Sequence, residues 1–65
     1  MQLIVNGEPR EVSAGTIQGL LAELGLPAPA MLVEHNGVAL HRREWEDHWL
    51  QKGDRIELIR VVAGG

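Results

Sequence analysis

Thr16-Ile17-Gln18-Gly19-Leu20-Leu21-Ala22-Glu23-Leu24-Gly25 is the stretch on which the fold turns. Ile17, Leu20, Leu21 and Leu24 recur at i, i+3, i+4 and i+7, which lines one face of a helix with aliphatic groups. Thr16 has a hydroxyl able to accept from an early backbone N–H, so it is the expected N-cap. Gly25 suits the left-handed residue that closes a helix, and Pro27 and Pro29 forbid its continuation. Gly19 in the interior costs up to about 1 kcal/mol relative to alanine, which points to close packing beside it.

Outward from this helix the periodicity changes from helical to alternating. On its N-terminal side, Met1-Gln2-Leu3-Ile4-Val5 is followed by Asn6-Gly7 and then by Arg10-Glu11-Val12. Two short runs about an Asn-Gly pair predict a hairpin. Leu3 and Val5 belong on one face and Ile4 on the other. Pro9 cannot donate to a ladder, so the second strand is expected to resume after it. On the C-terminal side, Met31 to His35, Asn36-Gly37 and Val38-Ala39-Leu40 repeat the hairpin signal. Arg42 to Leu50 reads as a short helical turn or irregular crossover anchored by Trp45, Trp49 and Leu50. Gln51-Lys52-Gly53-Asp54 turns the chain into a last strand, Arg55 to Val62. Ile56 and Leu58 face inward there, beside outward Glu57. The first and last strands carry the longest apolar runs, as central strands do. One helix covers one face of the sheet and leaves the other open. The expectation is α+β: a β-grasp with a mixed sheet of four to five strands, one main helix and a flexible tail at 62–65, all in a single domain 1–65.

Sixty-five residues allow one core, and with no cysteine neither a disulfide nor a thiolate metal site can reinforce it. Two Trp, no Phe and no Tyr leave no platform for stacking bases. Six basic against nine acidic side chains give a net charge of −3, which argues against binding a phosphate backbone. No apolar run approaches membrane-spanning length, and the N-terminus has no basic-then-apolar pattern of a signal peptide. These features predict a cytoplasmic protein without membrane or nucleic-acid partners, monomeric when free.

The last strand runs into Ala63-Gly64-Gly65. Two glycines have no side-chain chemistry and can enter a slot too narrow for other residues. The reactive group expected there is the carboxylate of Gly65, an oxygen nucleophile that is ionised near neutral pH, with a pKa of roughly 3.3–3.7.

The order of these signals resembles the ubiquitin-like β-grasp family over essentially the whole chain. Met1-Gln2-Leu3-Ile4-Val5, the Thr16-Ile17 helix start and Gly64-Gly65 are in register with that pattern. Within it the chain is similar to the ThiS-type sulfur carriers of thiamine thiazole synthesis. That likeness rests on the length, Arg43-Glu44-Trp45, Gly53-Asp54-Arg55-Ile56-Glu57-Leu58 and Val61-Val62-Ala63-Gly64-Gly65. The resemblance implies a carrier, not an enzyme, with no cofactor of its own. An E1-like, ThiF-type adenylating enzyme would use ATP to convert the Gly65 carboxylate into an acyl-adenylate. A sulfur donor such as a cysteine desulfurase persulfide would displace AMP. The resulting Gly65 thiocarboxylate would pass sulfur to a ThiG-type thiazole synthase. Val62, Ala63 and Gly64 are then the residues by which the tail is recognised. Ile59 and Ile4 face away from the helix and are expected to dock partners on the open sheet face. The same diglycine chemistry also serves the small subunit of molybdopterin synthase, in a usually longer chain, and ubiquitin-like modifiers joined to lysine amines. A plain binding module whose terminus has no role is a further alternative.

Other groupings are weaker signals. His35, His41 and His48 match no zinc spacing and read as scattered surface or rim histidines, so no metal site is expected. Glu44, Glu46 and Asp47 lack the cleft that acid–base catalysis needs and read as a solvated crossover. Arg42 and Arg43 can meet an acidic surface. Trp45 reads as a core plug, and Gly7 and Gly37 as turn residues, not phosphate cradles.

Overall fold

The computed structural model describes residues 1–62. Its strands are β1 (Gln2–Val5), β2 (Glu8–Glu11), β3 (Met31–His35), β4 (Val38–Leu40) and β5 (Arg55–Arg60). The helix α1 (Ile17–Glu23) stands between β2 and β3 in the chain, and short 3-10 turns occupy Ala28–Ala30 and Arg42–Glu44. The five strands form one sheet in the order β2-β1-β5-β3-β4. β1 runs parallel to β5, and the remaining pairs are antiparallel. The mixed sheet with one helix is the β-grasp architecture that the sequence predicts. β5 is its central strand, flanked by β1 and β3.

Both hairpins close through Asn-Gly. Asn6 and Gly7 have φ of 49° and 82°, and Asn36 and Gly37 have 51° and 85°. This pair of positive angles matches the right-handed twist of the flanking strands, and Asn-Gly adopts it at little cost. The first hairpin corrects one expectation, because Pro9 lies inside β2, opposite Ile4. Ile4 sends its own N–H the other way, to the Asp54 carbonyl at 2.9 Å. Ile4 and Pro9 are thus a non-bonded pair, and the nitrogen of Pro9 faces the outer edge of the sheet, where no donor is needed.

The helix starts and stops as its residues dictate. Gly19 N–H donates to Thr16 Oγ1 at 3.1 Å. At the other end Gly25, at φ 69°, lets its N–H reach the Ala22 carbonyl and the Leu26 N–H reach the Leu21 carbonyl. These two bonds form the glycine-dependent Schellman closure. A Cβ on Gly19 would lie 3.4 Å from Ala14 Cβ and Thr16 Oγ1, so the close packing expected there is no more than contact.

Leu3, Val5, Val12, Ile17, Leu20, Leu21, Met31, Val33, Trp45, Leu50, Ile56 and Leu58 form the core between α1 and the sheet. Trp45 is the largest fully buried side chain and plugs the end of the core beside the crossover. Its indole N–H has no partner among the described residues, a cost that burying so large an apolar ring outweighs. Trp49 is not the anchor it was expected to be. It is 69% exposed, with its ring lying over Gly15, where a Cβ would come within 3.2 Å of the indole. Leu50 takes the inward place instead, and its N–H holds the Gly15 carbonyl at 2.8 Å. No helix among the described residues is long and apolar enough to cross a membrane.

Candidate functional site

The last strand is gripped from both sides by the hairpin asparagines. β1 ends at Val5, opposite Ile56, while β5 continues to Arg60. The Asn6 side chain fills the missing ladder position: its Oδ1 accepts from Leu58 N–H at 2.7 Å and its Nδ2 donates to Leu58 C=O at 3.2 Å. On the other side Asn36 Oδ1 accepts from Arg55 N–H at 2.8 Å, and Asn36 N–H donates to Arg55 C=O at 2.8 Å. One pair of turn amides thus fixes the register of the strand leading toward residue 65. β5 stops at Arg60, short of the expected Val62, yet Val61 N–H still donates to the Ala30 carbonyl at 2.7 Å.

The open face of the sheet ends in an aliphatic patch. Ile59 is 48% exposed, and directly across the β3–β5 ladder stands Leu32, 56% exposed. Val61, two residues on and of the same parity, is exposed as well. Further down the face Glu34 stands opposite Glu57, making that part acidic. Ile4 also lies on the open face, partly buried, but beside Arg55. Arg55 is four residues from Ile59, roughly 13 Å along the strand. The patch near the tail is therefore Ile59 with Leu32 and Val61, and Ile4 is not contiguous with it. Leu32 was legible from parity, since buried Met31 and Val33 send it to the other face.

Val62 is exposed. The expected attachment residue Gly65, and Gly64 and Ala63 with it, lie outside the described residues.

Two of the three histidines are not scattered. His35 continues the inward parity of Met31 and Val33 at the end of β3 and meets the crossover. His35 Nε2 lies 2.7 Å from Asp54 Oδ2, and His48 Nε2 lies 2.8 Å from His35 Nδ1. The two rings cross edge to face, with centroids 4.7 Å apart. A carboxylate only accepts, so His35 Nε2–H donates to Asp54, and the ring tautomers set which nitrogen donates in the His35–His48 contact. Burial of Asp54 raises its pKa, but bonds from His35, Gln51 N–H and the Asn36 amide, with the attraction of His35, outweigh this and hold it below the ordinary value. The row ties β3, the crossover and the turn before β5 together. Among the described residues no three His, Asp or Glu side chains are placed to hold a metal ion. Glu44 is used locally, accepting from His41 N–H at 2.8 Å.

Residues 3–65 match the model of the ThiS family. The chain is similar to the sulfur carrier protein ThiS of Escherichia coli strain K12, 33% identical over the full length of both. It is similar to a crystal structure of the thiamine biosynthesis protein ThiS from Geobacter metallireducens, at 33% identity and a TM-score of 0.84 over the whole of both chains. It is also 33% identical to a thiazole synthase of Paramagnetospirillum magneticum, of whose length it spans 20%.

Proposed function

The chain belongs to the ThiS family, and from that premise we propose that sulfur is carried as a thiocarboxylate on Gly65. The protein is a sulfur carrier of thiamine biosynthesis, a co-substrate of other enzymes. The observation that carries this reading is a family match that runs through Gly64 and Gly65 on a complete β-grasp body.

A carboxylate is a poor acyl donor, and activation as a mixed anhydride makes it a good one. An adenylating partner would hold ATP, the Gly65 carboxylate would attack the α-phosphate, and pyrophosphate would leave. Persulfide sulfur on a donor protein would then attack the acyl carbon and expel AMP. Cleavage of the resulting acyl disulfide by a thiol would leave the thiocarboxylate. No cysteine in the chain competes for the sulfur at any stage. The receiving partner is a thiazole synthase, the kind of protein in which a similar segment makes up part of a longer chain.

Recognition divides between body and tail. The Leu32–Ile59–Val61 patch offers the partners a dry contact beside the tail, and the Glu34–Glu57 pair favours a basic surface below it. Val62, Ala63 and Gly64 thread the active-site slot.

Intact-mass measurement tests the reading. After incubation with ATP, adenylating enzyme and a persulfide source, the protein should gain one sulfur in place of one oxygen, localised to Gly65. Conjugates on lysine without that exchange would identify a modifier instead, and no change in mass would refute both.

A further inference from the structure

On the helix side of the sheet, where β1 ends at Val5 and β5 continues, the layer is incomplete. The corner is a groove of about 320 Å³ lined by Val5, Asn6, Arg10, Leu24, Leu26, Met31, Leu58 and Arg60. Its floor is the least enclosed part of the core: Val5 and Leu58 keep 8% exposure and Met31 7%, against 0% for Leu3, Ile17, Leu20 and Ile56. Leu24 and Leu26, on either side of Gly25, form the helix wall.

The charge at this groove opposes that of the molecule. The chain carries a net −3, yet the lining has two guanidiniums and no acid. Arg10 and Arg60 project to the helix side from β2 and β5, opposite buried Leu3 and Met31. Neither belongs to an ion pair among the described residues, whose pairs are the Met1 amino group with Glu11 and His35 with Asp54. Two forked donors about an apolar trough match a carboxylate flanked by aliphatic carbon. Arg60 is followed directly by Val61 and Val62, so an occupant here is adjacent to the tail yet on the opposite face from Ile59.

We propose that this groove docks a segment of a partner protein in which an acidic side chain stands next to leucine-like side chains. The carboxylate is held at the groove by the positive charge of Arg10 and Arg60, and an aliphatic group rests on Val5, Leu26 and Leu58. The contact is independent of sulfur chemistry. It gives a partner that acts on the tail a second hold, on the side of the sheet away from the Leu32–Ile59 patch.

The test needs no partner enzyme. The ¹⁵N-labelled full chain is titrated with the capped peptide Ala-Leu-Asp-Leu-Ala, and in parallel with Ala-Leu-Asn-Leu-Ala and with inorganic phosphate. Saturable shifts are expected at the amides of Val5, Asn6, Leu26, Leu58 and Arg60. Binding should be about tenfold weaker for the Asn peptide and for an Arg10→Gln/Arg60→Gln variant, as loss of a charge-assisted bond predicts. An Arg42→Gln/Arg43→Gln variant should bind like the parent. Spectra of both variants with parent-like dispersion establish that the fold is intact. The proposal is overturned if the shifts fail to saturate, if they fall on the Leu32–Ile59 face, if the Asn peptide binds equally, or if phosphate alone reproduces them.

Discussion

Replacing Asn6 separates the contributions of a turn residue that also serves as a strand. Its side chain makes two hydrogen bonds to the backbone of Leu58 while its own φ is 49°. Asn6→Ala removes both bonds, worth about 1 kcal/mol each, and leaves a part-buried Leu58 N–H without an acceptor. It also forces a Cβ-bearing residue with no local hydrogen bond to hold a left-handed conformation, at a further cost of about 1 kcal/mol. The expected loss is therefore about 3 kcal/mol. A domain of this size has a total stability of only about 3–10 kcal/mol, so the variant approaches partial unfolding. Asn6→Gly removes the same bonds but tolerates the angle, and its expected loss is about 2 kcal/mol. Urea unfolding followed by tryptophan fluorescence reads both, because Trp45 is fully buried in the folded state. The slope with urea should not change, which assigns the effect to the native state. Losses below about 0.5 kcal/mol in both variants would refute the role of Asn6 as a splice between β1 and β5, since surface substitutions away from such features fall in that range.

Ile59→Asp and Leu32→Asp, each on the exposed face, should leave the fold intact and slow thiocarboxylate formation by tenfold or more, about 1.4 kcal/mol of lost docking. Formation at the parent rate, measured by mass, would remove that residue from the interface. Asp54 is held below its ordinary pKa, so the stability it contributes is fully present above the unfolded value of about 3.9 and is lost as pH falls through the folded value. The parent should exceed Asp54→Asn in Tm at pH 7, and the two should converge below about pH 4; a constant gap would contradict this. Gly19→Ala should stabilise by up to about 1 kcal/mol in urea, since the added methyl only touches its neighbours, whereas Gly7→Ala, at φ 82°, should destabilise. Trp45→Ala should cost about 3–5 kcal/mol, a large share of the domain's total stability, and lower the thermal unfolding midpoint followed by far-ultraviolet circular dichroism more than any of the other substitutions.

The features legible in the sequence are those set by residues near one another in the chain. The Thr16 cap, the Gly25 closure, the two Asn-Gly turns and the inward parity of Ile56 and Leu58 each follow from a local rule. Pro9 was misplaced because its effect depends on which side of β2 is an edge, and only the partner strand decides that. Trp49 looked like an anchor because residue type says nothing about which of two adjacent apolar residues points inward; Leu50 does, and Trp49 does not. His35, His48 and Asp54 come from three separate segments, and no spacing in the sequence foretells their row. The exposed aliphatic patch was half legible: the outward side of Ile59 and Ile4 followed from strand parity, whereas the contiguity of Ile59 with Leu32, and the separation of Ile4 from both, needed the strand register.

The arrangement of β5 between a parallel neighbour and an antiparallel one has a mechanical consequence. A partner that tugs at residue 62 along the strand axis loads the ladders on both flanks sideways, so their bonds share the force at once instead of opening one by one. The Asn6 and Asn36 amides act as rivets in that joint. Threading and withdrawal of the last residues can thus proceed under tension without unravelling the body that bears them.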